Sequence, residues 1–172
     1  MTDFLFAIVA HTPLWVWGVL ALIVSIGLNQ TRTRDVAAAR VIAVPAVLAV
    51  YSLWGASSAF AASGLGLVLA AWLGGLALGA ASNRALDLPR RCSANADGSF
   101  RIEGSFAPLV LMLCVFLARY VNGVALAVKP ALAAGPAYVV AATVVFAFPA
   151  GLYVARSRKV FASRAARGLA VA

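Results

Sequence analysis

Five apolar stretches, each close to the length a helix needs to cross a bilayer, are separated by segments that alternate between basic and nearly free of Lys and Arg. A helix spans the hydrocarbon core with about 20 consecutive apolar residues. The stretches cover residues 13–28, 41–60, 64–81, 106–128 and 137–155. The first either extends back to Phe4 through a kink at Pro13, or follows a short amphipathic segment, residues 4–12, that lies in the interface. The chain is 64% hydrophobic and 11% charged, where a soluble domain is about half apolar and a quarter charged. A soluble fold of 172 residues has too little interior for so much apolar side chain. The expected fold class is an all-α membrane protein, five transmembrane helices in a single domain.

The basic residues set an expected orientation. Arg32, Arg34 and Arg40 lie between the first and second stretches. Arg84, Arg90, Arg91 and Arg101 lie between the third and fourth, and Arg156, Arg158, Lys159, Arg164 and Arg167 follow the fifth. The opposite side holds Lys129 alone. Positive residues stay cytoplasmic, so the threading is N-terminus out, C-terminus in. Trp15, Trp17, Trp54 and Tyr138 then fall toward the outer ends of their helices, at the headgroup level that aromatic rings favour. The same clustering accounts for the net charge of +9 without nucleic acid, since no segment is long enough to build a soluble basic face.

The polar loop 83–105 falls on the inner side. Its Asp97-Gly98 is a two-residue hairpin signal, and Phe100 and Ile102 alternate with Arg101 and Glu103 as in a half-buried strand. A small cytoplasmic β-hairpin is expected, with a disordered loop as the alternative because the strand before Asp97 is weak. The sequon Asn29-Gln30-Thr31 carries no meaning on a cytoplasmic connection. The first ten residues lack the basic region of a signal peptide.

The third stretch carries small residues on two faces, Ala71, Gly75 and Gly79 on one and Gly66, Ala70 and Gly74 on the next. Small residues let helix backbones approach in lipid, so these faces meet either another helix of the chain or a second copy in a homodimer. Pro45 and Pro149, each inside a span, bend their helices statically or serve as hinges.

Arg119, in "CVFLARYVNG", is the one charge inside a span. A charged side chain at the bilayer centre costs about 2.5–3.5 kcal/mol on insertion scales, and arginine cannot escape by losing its proton. No Asp or Glu lies in any span. The candidate neighbours are Asn122, one turn on, Tyr51, Ser52 and Ser57 on the second helix, and His11 and Lys129 at the outer edge. Either Arg119 anchors an anion through its planar pair of donors, or it bonds helix carbonyls and neutral side chains and fixes the packing. The missing carboxylate argues against a proton relay.

Enzyme signatures such as HExxH, GxSxG or a Walker loop are absent. Cys92 and Cys114 form no motif, and with a single histidine neither metal nor redox chemistry is expected. No catalytic residue and no cofactor is expected, and the expected partners are membrane lipids.

The segments "HTPLWVWGVLALIVSIGLNQTRTRDVAAARVIAVP" and "DGSFRIEGSFAPLVLMLCVFLARYVNGV" resemble an uncharacterised family of small bacterial inner-membrane proteins and are distantly similar to CcdC-like membrane proteins. The shared pattern is a basic first loop, a proline in the second helix, a hairpin-like segment and a mid-span arginine at Arg119. The resemblance implies an inner-membrane location and supplies no ligand residues. Two function classes remain: a non-enzymatic accessory or scaffold protein, and a small transporter or binding protein for an anionic or amphiphilic solute that uses Arg119.

Overall fold

The computed structural model describes residues 12–86, 92–95 and 98–171, with side chains described as far as residue 163. Five α-helices dominate: α1 (Leu14–Asn29), α2 (Ala38–Ala59), α3 (Leu65–Leu86), α4 (Ala107–Val128) and α5 (Pro136–Val171). Three short strands, β1 (Arg34–Val36), β2 (Cys92–Ala94) and β3 (Phe100–Ile102), sit in the first and third connections. Single 3-10 turns, Ala61–Ser63 and Pro130–Ala134, make the tight connections at the other end of the bundle. The Ser63 hydroxyl joins them by donating to the Ala133 carbonyl at 2.7 Å.

Four helices, α2 to α5, are long and apolar enough to cross a membrane, and α1 is a shorter apolar helix of 16 residues. At 1.5 Å per residue α1 is about 24 Å long, short of a hydrocarbon core of about 30 Å. The expected extension or interfacial segment before it lies outside the described residues, except for Thr12. The Thr12 hydroxyl shares a hydrogen bond of 2.5 Å with the Tyr120 hydroxyl, which ties the entry to α1 against α4.

The core of the bundle is α5. It packs most extensively on α3, then on α2, while α1 packs on α4. The α3–α5 seam is close because of glycine. A methyl group at Gly75 would sit 2.7 Å from the Val144 carbonyl oxygen, and one at Gly79 would overlap the Phe148 carbonyl. The Ala71, Gly75 and Gly79 face is therefore filled by the chain's own fifth helix. Gly66 and Gly74 have open space where a side chain would project, and Ala70 beside them is exposed. Pro45 and Pro149 are both buried within continuous helices.

Helix α5 outruns the expected span 137–155. Its arginines, lysine and alanines are good helix formers, so charge ends the apolar stretch without ending the helix. With 36 residues it measures about 54 Å, and the turn around Val160 and Phe161 carries the sheet. Val160 and Phe161 pack with Val36, Val41, Ala94, Phe100 and Ile102, and the rings of Phe100 and Phe161 meet edge to face at 5.3 Å between centroids.

The sheet order is β1-β3-β2, all antiparallel. The predicted hairpin is present as β2–β3, with Phe100 and Ile102 buried and Arg101 and Glu103 exposed as their alternation requires. Two features differ from expectation. The turn is not the two-residue Asp97-Gly98 kind, because Asn95 N–H donates to the Ser99 carbonyl at 2.8 Å and encloses residues 96–98. Gly98 takes a positive φ of 81°, the residue a three-residue hairpin loop needs there; Asp97 lies outside the described residues. The hairpin is also not alone, since β1 from the first connection pairs Arg34 with Ile102 and Val36 with Phe100. A two-stranded hairpin is marginal in water, and the third strand together with α5 covers its apolar face.

Candidate functional site

Arg119 projects from α4 into the angle between α2 and α5. Its guanidinium carbon lies 4.0 Å from the centroid of the Phe146 ring on α5 and 5.3 Å from that of Tyr51 on α2. The guanidinium also rests on Gly55. A methyl group there would come within 2.8 Å of the guanidinium carbon and closer still to both terminal nitrogens. One terminal nitrogen donates a long bond, 3.5 Å, to the Ser52 carbonyl. A delocalised, weakly hydrated cation is the one basic group suited to this setting, since it stacks on aromatic faces.

Two of the expected neighbours are brought to Arg119 and the others are not. Tyr51 contributes its ring and Ser52 its carbonyl. The Ser52 hydroxyl is engaged elsewhere, donating to the Ala49 carbonyl at 2.9 Å and accepting from the Trp72 indole nitrogen at 2.9 Å. Asn122 accepts from the Tyr138 hydroxyl at 3.0 Å and so braces α4 against α5. Ser57 bonds back to the Trp54 carbonyl of its own helix. Lys129 is exposed at the end of α4, ten residues on, or about 15 Å along the helix axis. His11 lies outside the described residues.

Beside Arg119 runs a groove of about 410 Å³ between α1 and α4, walled by Trp15, Val16, Tyr51, Tyr120 and Val124. Apart from Arg119, the two tyrosine hydroxyls and the Trp15 indole nitrogen, its side-chain walls are apolar.

Phe146 and Gly55 were not among the expected neighbours. Phe146 is one of two phenylalanines in the apolar stretch 137–155, and nothing in its spacing marks it. Gly55 could have been noticed as the small residue one turn from Tyr51 and Ser52. At the sheet end, Arg34, Arg40 and Arg156 come together around a cavity that also meets Tyr153. In the sequence these arginines read as orientation signals only. The spacing of Tyr153, Ser157 and Val160 on one face of α5 was the available sign that this helix continues past its apolar stretch.

Four helices long and apolar enough to cross a membrane, with a fifth shorter one, define the class: a multi-pass helical membrane protein. The chain belongs to the Family of unknown function (DUF6622), whose profile matches residues 2–171. No curated protein and no solved structure matches it. The expected kinship with CcdC-like proteins finds no support in the family match.

Proposed function

We propose that this chain is a non-enzymatic multi-pass protein of the bacterial inner membrane, an accessory or scaffold in which Arg119 fixes the packing of three helices. One observation carries the reading. The guanidinium of Arg119 is taken up by Phe146, Tyr51, Gly55 and the Ser52 carbonyl of its own chain, so it needs no solute to hold it. Threading with the sheet end in the cytoplasm is supported by the gathering of Arg34, Arg40, Arg101, Arg156 and Arg158 at that end, because positive segments resist translocation. Lipids are the natural partners of the exposed apolar surface. Self-association through α3 would have to use Gly66, Ala70 and Gly74, since the neighbouring face is filled by α5.

The groove favours a second reading, a small transporter or binding protein for an anionic or amphiphilic solute with Arg119 at its wall. Thermal unfolding of detergent-purified Arg119→Ala, Arg119→Lys and Gly55→Ala proteins separates the two. Under the packing role all three lose stability, Gly55→Ala included, because its methyl displaces the guanidinium without removing charge. Variants as stable as wild type that no longer bind an anionic amphiphile would establish the second reading instead. Reporter fusions at the C-terminus test the threading, and an outward C-terminus would overturn it.

A further inference from the structure

At the sheet end a cavity of about 280 Å³ lies where α1, β1, α2 and α5 converge. Its polar wall is built from Arg34 of β1, Arg40 of α2, and Arg156 and Tyr153 of α5. Among the described residues, the groups that act electrostatically on Arg34 are Arg156, Arg40 and Tyr153, with no carboxylate among them. Burial first, and then the charges of Arg156 and Arg40, hold the Arg34 guanidinium below its usual pKa. Asp35, next in sequence, faces the other side of the strand and is exposed, and it accepts a hydrogen bond from the Asn95 amide at 3.0 Å. Glu103 is likewise exposed, beyond Ile102 whose side chain lines the cavity.

Two of the arginines are held in place. A terminal nitrogen of Arg34 donates to the Gln30 side-chain Oε1 at 3.0 Å, and the Arg156 guanidinium lies 5.7 Å from the centroid of the Tyr153 ring. Tyr153 is only 8% exposed, yet its hydroxyl has no hydrogen-bond partner. A buried hydroxyl left unbonded is costly, and native structures seldom leave one without a reason. Cations gathered with no counter-charge among the described residues, beside an orphaned donor, describe a site for an oxyanion. Apart from Gln30 and Ser157, whose hydroxyl is engaged with the Val41 and Tyr153 carbonyls, the remaining walls are apolar, with Ile26 on α1, Val44 on α2 and Met112 on α4. These continue from the polar wall toward the membrane-spanning part of the bundle.

We propose that this cavity binds a phosphate group of net negative charge, one not offset by an ammonium on the same headgroup, with Arg34, Arg40 and Arg156 as its cationic donors and the Tyr153 hydroxyl as a neutral one. The apolar wall suits an amphiphile whose phosphate enters the polar half while its glycerol and first methylenes lie against Ile26, Val44 and Met112. A small soluble phosphate compound has the same headgroup chemistry, and the two sources give different results below. The site goes beyond the accessory role proposed above and uses none of the residues that hold Arg119.

The test is native mass spectrometry and thermal unfolding of the full chain, delipidated in detergent, with dioctanoyl phosphatidylglycerol, dioctanoyl phosphatidylcholine or inorganic phosphate. Wild type should retain phosphatidylglycerol over phosphatidylcholine and gain thermal stability from it. Arg34→Gln and Arg156→Gln should weaken retention about ten- to a hundredfold, the worth of one charge-assisted hydrogen bond. The exposed Arg32→Gln should leave it unchanged. Should the arginine variants fail to fold, Tyr153→Phe decides, because it removes an unbonded hydroxyl and breaks no hydrogen bond. It should be as stable as wild type without ligand and gain less from phosphatidylglycerol. Protection by inorganic phosphate at millimolar concentration, equal to that by the lipid, identifies a soluble ligand, and protection by the lipid alone identifies an amphiphile. Equal retention of the two lipids with no effect of phosphate would overturn the proposal. So would ligand-induced stabilisation in Arg34→Gln, Arg156→Gln or Tyr153→Phe equal to that of wild type.

Discussion

The same substitution, glycine to alanine, should have opposite effects at two pairs of positions on one helix. At Gly75 an added methyl would lie 2.8 Å from the Ala147 methyl and 2.7 Å from the Val144 carbonyl oxygen, and at Gly79 it would overlap the Phe148 carbonyl. Ordinary carbon contacts are about 3.5–4.0 Å, so α3 and α5 must part by about 0.7 Å or more at Gly75. The obstacles are backbone and a methyl attached to it, which cannot swing away. Overpacking of this kind costs about 1–3 kcal/mol, offset by about 1 kcal/mol from replacing glycine inside a helix. The net is a loss of about 0–2 kcal/mol for Gly75→Ala, and more for Gly79→Ala. Gly66 and Gly74 meet nothing within 4 Å, so Gly66→Ala and Gly74→Ala keep only the helix term and gain up to about 1 kcal/mol. The assay is unfolding by SDS titration from mild detergent micelles, followed by the fluorescence of the tryptophans. Equal shifts in the midpoint for Gly66→Ala, Gly74→Ala, Gly75→Ala and Gly79→Ala would refute the assignment of the Ala71, Gly75 and Gly79 face to α5.

Two further outcomes follow from the sheet end. Phe161→Ala removes the ring that packs edge to face on Phe100; because Phe161 is half-buried, its truncation costs less than the ~3–5 kcal/mol of a fully buried phenylalanine. The loss should appear as rapid amide exchange at residues 34–36 and 100–102 while α3 stays protected. Ser157→Ala removes a hydroxyl that donates to the Val41 carbonyl at 2.7 Å, where α5 meets α2. It should lower stability by about 1 kcal/mol in the same SDS titration.

The five helices were legible, four of them long and apolar enough to cross a membrane, because the bilayer imposes a length on an apolar stretch, and the basic residues mark which connections share an end. The α5 overrun was hidden because Arg156, Arg158 and Lys159 end the apolar run while remaining good helix formers. Strand β1 was hidden too: "RDV" is three residues long and has no room to show a period of two. The Gly75 and Gly79 face was legible as a seam, but spacing on one helix does not reveal which helix lies across from it. The same limit applied to Arg119. Its own helix pointed to Asn122, whereas the aromatic ring that meets it most closely, Phe146, comes from a helix starting well after it in the chain. The arginine cavity was least legible, because its polar members come from three elements separated by more than a hundred residues, from Arg34 to Arg156.

The most direct test concerns the Arg119 guanidinium itself, observed by NMR in selectively arginine-labelled protein in micelles. Stacked 4.0 Å from the Phe146 ring centroid, its Nε–H resonance should be shifted by the ring current and protected from exchange, and should collapse toward the free-arginine position in Phe146→Leu. Inorganic phosphate or phosphatidylglycerol should leave it where it is. A free-arginine shift with fast exchange in the wild type, or a shift that moves with added anion, would contradict the claim that this charge is satisfied by its own protein.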